Sequence, residues 1–313
     1  MLIMNKAMFK YSKIFTLGFV SILFVMCNKS DQSKKGQESI LKGSATILVD
    51  ETLTPIIEDQ VAIFESKYDA KIKIVSKSES ELVVSLFKEK SGIAILTRNL
   101  TLNENKIFEQ KKITPKITKF ATDAIAFISN KSNNDTLIEL KSIVEFMQGK
   151  QNSKIKGLVF DNPNSSTVRY MNEIAKINAF PKERVYSFKT NEEVIKFVAE
   201  NNGMIGVVGL NWLTQPMPAM QEYVDNVNIL SVKGGSNEKY YFPSQNNIAE
   251  GKYSLARDLY IINAQGYSGL GMGFASFVAG DIGQRIILKS GLLPVRVPGR
   301  RINIRNEISI EKK

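Results

Sequence analysis

Residues 160–170 read Phe160-Asp161-Asn162-Pro163-Asn164-Ser165-Ser166-Thr167-Val168-Arg169-Tyr170. Before them, Ile155 to Phe160 is a short apolar run with one Gly, the pattern of a buried strand. After them, Met171, Ile174, Ala175 and Ile177 recur at helical spacing. Asn162-Pro163-Asn164 is a turn signal, followed by the hydroxyls of Ser165, Ser166 and Thr167. A strand that feeds a polar turn and opens a helix aims hydroxyls and free backbone N–H groups at one point. An anion is favoured there, because the first helical N–H groups are unpaired and the helix dipole is positive. An ordinary N-cap has the same residues, so the surrounding chain must separate the two readings.

Working outward, strand and helix patterns alternate. Ala45 to Val49 reads as a strand and Leu53 to Tyr68 as a helix with Pro55 in its first turn. Ile72 to Val75 reads as a strand and Glu79 to Lys90 as a helix. Ile93 to Leu96 is a strand pattern, and Thr101 with Glu104 has capping-box spacing before the next helix. Ala124 to Ser129 is strand-like, and Leu137 to Met147 is helical. Beyond the central stretch come strands at 185–188 and 204–208 around a helix at 192–199. A less regular region, 211–251, precedes a strand at 259–263 and helices at 274–278 and 284–289. This alternation predicts an α/β protein with mainly parallel sheets.

Ligands of open α/β sheets bind beyond the carboxyl ends of the strands. Those ends carry Asp50, Glu51, Thr52 and the Leu53 amide; Ser76, Lys77, Ser78 and Ser80; Thr97 and Arg98; and Asp161 with Ser165, Ser166 and Thr167. Small hydroxyls, one Arg and a few acids suit a small hydrated oxyanion better than a large apolar ligand. The chain has no histidine, which excludes Ser-His and Cys-His nucleophile pairs and imidazole metal ligands. No catalytic residue, metal or cofactor is expected. The net charge of +11 is spread among interleaved acids, which argues for a solvated basic surface and against a nucleic-acid patch.

The N-terminus reads as an export segment. Lys6, Lys10 and Lys13 precede an apolar run, Ile14 to Met26, which is too short to span a bilayer comfortably. Residues 1–26 are expected to be a signal peptide. Phe24-Val25-Met26-Cys27 resembles a bacterial lipobox, so Cys27, the only cysteine, is the expected lipidation site. Residues 27–40 then form a flexible tether, and 301–313 a charged tail.

From about residue 45 to 300, ordered motifs resemble the phosphate-binding component of phosphate ABC transporters, the PstS-like family. Val49-Asp50-Glu51-Thr52-Leu53-Thr54-Pro55 matches its first strand-to-helix turn, and Ser78-Glu79-Ser80 its Ser-bearing loop. Leu96-Thr97-Arg98-Asn99-Leu100, Asp123-Ala124-Ile125-Ala126 and Ser165-Ser166-Thr167 match later elements. Asn202-Gly203-Met204-Ile205-Gly206, Tyr253 to Tyr260, and Gly283-Gln284-Arg285-Ile286 through Pro294 complete the series. The resemblance implies a two-lobed periplasmic-binding-protein fold of type II. Residues 41–122 and 258–300 would form lobe I, and 123–257 lobe II, joined by hinge strands.

It also implies an extracytoplasmic, lipid-anchored protein, periplasmic or on the cell surface, acting as a monomer. Such a protein captures inorganic phosphate in an interlobe cleft and delivers it to ABC permease subunits. Phosphate contacts are implied for Thr52, Leu53, Ser80, Arg98, Asp161, Ser165, Ser166 and Thr167. Arg98 would supply the main positive charge. Asp161, which as a carboxylate only accepts hydrogen bonds, would select an oxyanion that still carries a proton. The alternatives are another oxyanion (sulfate, molybdate or an organic phosphate) or a phosphatase-like enzyme on the same scaffold. The family usually has hydroxyls where this chain has Asp50-Glu51, and Gly where it has Ser166.

Overall fold

The computed structural model describes residues 38–88, 92–150, 155–181, 183–235, 238–297 and 299. The expected signal peptide, Cys27 and the charged tail lie outside the described residues. The first part of the chain runs β1 (Lys42–Asp50), a 3-10 turn (Glu51–Leu53), α1 (Thr54–Lys67), β2 (Asp69–Lys77), α2 (Glu79–Lys88), β3 (Ile93–Leu96) and α3 (Leu102–Gln110). A long strand, β4 (Lys116–Asn130), then leads to β5 (Leu137–Glu139), α4 (Leu140–Met147), β6 (Gly157–Phe160), α5 (Ser166–Ala175), β7 (Val185–Ser187) and α6 (Asn191–Glu200). Next come β8 (Met204–Gly209), α7 (Asn211–Thr214), α8 (Gln221–Asp225), β9 (Val227–Ile229), β10 (Ser231–Lys233) and α9 (Gln245–Ala249). The chain closes with β11 (Ala256–Asn263), α10 (Leu270–Ala279), α11 (Asp281–Lys289) and β12 (Leu293–Pro294).

The main sheet has the order β2-β1-β3-β11-β4-β8-β6-β7. Its flanks are parallel: β1 with β2 and β3, and β6 with β7 and β8. The middle is antiparallel: β11 pairs with β3 and β4, and β4 pairs with β8. β4 changes partner along its length: Lys116–Ala124 pairs with β11, and Ile125–Ser129 pairs with β8. Two parallel groups of strands are therefore joined through β4 and β11. This is the two-lobed, mixed α/β architecture that the sequence predicts.

Each group has its own apolar packing. Ile47, Leu48 and Val49 of β1 are all fully buried, so both faces of that strand are covered, as a parallel strand under helices requires. Ile47 and Val49 pack with Phe64 and Phe274, whereas Leu48 packs with Leu82 and Phe108. Phe64 meets Phe274 edge-on at 5.5 Å and Phe277 at 5.3 Å. Truncating such a side chain to Ala costs about 3–5 kcal/mol. The second group buries Phe127, Leu158, Phe160, Val194 and Val207 together.

Several elements differ from expectation: β11 begins at Ala256 and α10 at Leu270, where the pattern predicts 259 and 274. β4 begins at Lys116, well before Ala124, because charged residues alternate with apolar ones along its first half. Leu137–Glu139 is a short strand paired with β10, and the helix starts only at Leu140. Among the described residues, no helix is long and apolar enough to cross a membrane.

Candidate functional site

Three loops and one strand residue converge where the two groups of strands meet. The first follows β1. Asp50 caps the 3-10 turn, its Oδ1 accepting from the Thr52 N–H at 3.0 Å and from the Thr52 hydroxyl at 2.8 Å. A carboxylate here replaces the hydroxyl usual in the resembling family, and it fixes the Thr52 rotamer. Thr52 and Leu53 are fully buried.

The second loop follows β6. Asn162 makes an Asx turn to the Asn164 N–H at 2.9 Å. Ser165 caps α5 by accepting from the Val168 N–H at 3.2 Å. The Ser165 hydroxyl donates to Asp161 Oδ1 at 2.5 Å, and Asn191 Nδ2 donates to Asp161 Oδ2 at 3.1 Å. Ser166 and Thr167 are fully buried. Ser80 is exposed and meets this loop only through the Asn164 carbonyl, at 3.4 Å from its hydroxyl and from its N–H.

The third loop follows β8. Asn211 Nδ2 and Trp212 Nε1 both donate to the Thr52 carbonyl, at 3.1 and 2.9 Å. Gly209 makes room for this: a Cβ there would stand 2.7 Å from Asn211 Oδ1 and 3.6 Å from Arg257 Nη2.

The fourth contribution is Arg257, opposite Asp123 across the β11–β4 ladder. Its side chain is 2% exposed and pairs with Asp123 Oδ2 at 3.0 Å. The rest of the guanidinium reaches Ser166 Oγ at 3.1 Å and Thr52 Oγ1 at 3.3 Å. Those hydroxyls come from opposite groups of strands and touch each other at 3.1 Å. One buried cation thus holds hydroxyls from both sides.

Arg98, the expected cation, is engaged elsewhere. Its Nε donates to Glu79 at 2.7 Å, and Nη1 and Nη2 make a bidentate pair with Glu104 at 2.8 and 2.9 Å. Nη1 also donates to the Asn99 carbonyl. Glu104 is itself the capping-box acid of α3, so Arg98 fastens that helix. Arg169 extends the network, pairing with Glu79 and Glu173. The structure brings Thr52 and Ser166 onto Arg257, holds Asp161 within the field of its charge, and places Ser165 and Thr167 in the adjoining turn of α5. It assigns Arg98 to an ion-pair network whose carboxylates already occupy the guanidinium.

The cluster is rich in acid. Burial pushes the Asp50 and Asp123 carboxyls up, against the pull of Arg257. Burial pushes Asp161 up to about 7, opposed by the Ser165 hydroxyl and assisted by Asp50. Glu51, half-buried, also rises to about 7 through burial and the nearby Asp161, Asp50 and Glu81 charges. Arg257 was missed from sequence, although it lies inside the quoted Tyr253–Tyr260 element. It shares the buried face of β11 with Leu259 and Ile261, and a charge in that phase demands a partner. Beside the cluster, a groove of about 530 Å³ opens to solvent between Ser80, Asn164 and Arg169.

Residues 32–281 match the family model of a PBP superfamily domain, and the chain belongs to that superfamily. Among curated proteins none matches by sequence. Among solved structures, the chain resembles a Clostridium perfringens protein described as a phosphate ABC transporter substrate-binding protein with bound phosphate. Identity is 20% and the TM-score 0.67, over 81% of this chain and 100% of that one. It also resembles PstS from Borrelia burgdorferi, at 23% identity and TM-score 0.53, over 82% and 100% of the two chains. An ABC-type phosphate transport receptor from Vibrio cholerae matches at 15% identity and TM-score 0.58, over 80% and 99%.

Proposed function

We propose that this PBP-superfamily protein binds inorganic phosphate and presents it to an ABC permease. The observation that carries the reading is Arg257. It is buried, its one salt bridge among the described residues is to Asp123, and it lies against hydroxyls from both groups of strands. A guanidinium fork holds two oxyanion oxygens at once. The Thr52 and Ser166 hydroxyls, the Thr167 hydroxyl and the N-terminal amides of α5 add donors around the same point. The Thr52–Ser166 contact is the one a ligand would part. The likeness to solved phosphate-transport proteins supports this choice among oxyanions.

In this proposal, residues 41–122 with 258–300 and residues 123–257 are lobes that move about β4 and β11. Phosphate contacts come from Thr52, the Leu53 amide, Ser165, the Ser166 amide and Thr167, with Arg257 as the cationic pole in place of Arg98. Asp161 holds Ser165 and Asn191 in place. The protein works outside the cytoplasm, anchored through lipid on Cys27.

Titration calorimetry of the parent against phosphate, sulfate and molybdate tests the ligand. Phosphate is expected to bind most tightly, and equal or tighter binding of sulfate would overturn the assignment. Cys27→Ser is expected to leave the protein unlipidated. Membrane fractionation with lipid labelling reads this directly, and an undiminished label on the variant would refute the anchor.

A further inference from the structure

Arg257 and the hydroxyls supply donors, but the acceptors around them are in excess. Asp50 Oδ2, Glu51 Oε1, Asp123 Oδ1 and Asn211 Oδ1 are buried and make no well-formed hydrogen bond. A carboxylate or amide oxygen can only accept, and a buried acceptor without a donor is costly. Both oxygens of Asp161 already have donors, from Ser165 and Asn191. Among the acids, the unsatisfied oxygens therefore lie on Asp50 and Asp123, which face Arg257, and on Glu51, which faces Asp50 and Asp161.

The surrounding charges do not relieve them. Asp50 faces Arg257 and Glu79, with the Ser166 hydroxyl near, and Lys77 stands opposite it in the β1–β2 register. Glu51 faces Asp161, Asp50 and Glu81. Asp123 has Arg257, with Tyr170 and Tyr253 within its field. Arg98 and Arg169 are held by Glu79, Glu104 and Glu173. A doubly charged oxyanion would thus meet one cation and several carboxylates in a dry space, where like charges repel strongly.

We propose that this site binds phosphate in its singly charged dihydrogen form, so that above neutral pH each phosphate enters together with one proton. The inference rests on the phosphate reading above and adds the ionic form to it. Starting from monohydrogen phosphate, the complex takes one proton from solvent. A P–O–H bond forms, and its hydrogen is donated to a carboxylate oxygen of Asp50, Glu51 or Asp123. Nothing is oxidised or reduced. Sulfate has no proton to give near neutral pH and meets only acceptors.

The test is calorimetric titration of the parent protein with sodium phosphate in the presence of a chelator, in steps from about pH 6 to about pH 8.5. Uptake of one proton predicts a dissociation constant that rises about tenfold per pH unit above neutrality. Repeating the titration near the alkaline end in buffers of different ionisation enthalpy is expected to show about one proton taken up per phosphate. Glu51→Gln, at the least buried of these acids, replaces an acceptor with an amide that can donate, and is expected to flatten the slope. Tight phosphate binding with an unchanged constant across the range, and no proton uptake, overturns the inference while leaving the phosphate reading intact. Binding that appears only on adding Mg²⁺ or Ca²⁺ overturns it in favour of a metal bridge, for which oxygen ligands are suited. No phosphate binding at any pH overturns both.

Discussion

Arg98 and Arg257 look alike in the sequence, each in a short apolar strand region, yet the structure uses them in opposite ways. Arg98 has a bidentate contact with Glu104 and a further one with Glu79. Arg257 has a single oxygen of Asp123 and fills the rest of its fork with hydroxyls. A guanidinium saturated by carboxylates fastens the fold. One left partly to neutral donors and acceptors can exchange them for a ligand. What matters is therefore the number of carboxylate oxygens around an Arg, more than its position at a strand end.

The sharpest way to break this comparison is Arg257→Ala. Removing one partner of a desolvated charged contact costs ~2–5 kcal/mol, so phosphate affinity is expected to fall roughly 30- to 5,000-fold. Calorimetry on the folded variant checks this, and affinity within a few-fold of the parent would sink the assignment. Arg98→Ala is expected to do the reverse. It strips donors from two partly buried carboxylates and lowers stability by about 1–3 kcal/mol, while phosphate affinity stays within a few-fold. Thermal unfolding and calorimetry on one preparation separate the two effects.

A smaller effect follows from the acids. Asp161 and Glu51 have folded pKa values raised to about 7. Above the unfolded carboxylate range the unfolded chain has released these protons and the folded protein still holds them. Stability therefore falls as pH rises from about 5 to about 7 and levels off beyond. The lowered values of Glu65 and Glu104 act in the opposite sense but at more acid pH. The ligand-free protein is expected to melt higher at about pH 5 than at about pH 8. A melting temperature that rises with pH over that interval would show that these acids ionise without cost. The smallest effect is expected at Ser80, which is exposed and touches only the Asn164 carbonyl. Ser80→Ala should stay within about 0.5 kcal/mol in stability, with phosphate affinity nearly unchanged. A large loss of affinity would mean that Ser80 turns inward when phosphate is bound.

The sequence makes the parallel groups legible because their strands are short apolar runs between well-capped helices, as at Thr101–Glu104. The loop of 161–167 is legible for a similar reason: turn residues and hydroxyls have few other uses before a helix. The first half of β4 is not, because Lys116–Asp123 borders solvent on one face and interleaves Lys with Ile and Phe. Arg257 escapes notice among apolar neighbours, since strand periodicity tells which face a residue takes and nothing of what it meets there. Asn191 and Asn211 are invisible for a related reason. Their role comes from contacts with Asp161 and Thr52, remote in the chain.

Trp212 is the only tryptophan in the chain, and its indole N–H is bonded to the Thr52 carbonyl. That bond joins the turn after β8 to the turn after β1, so the protein carries an intrinsic optical reporter on the seam between its halves. Were the halves to part, the half-buried indole would lose the carbonyl and gain water, and its emission would move to longer wavelength. Opening and closing could then be timed by stopped-flow fluorescence on unlabelled protein.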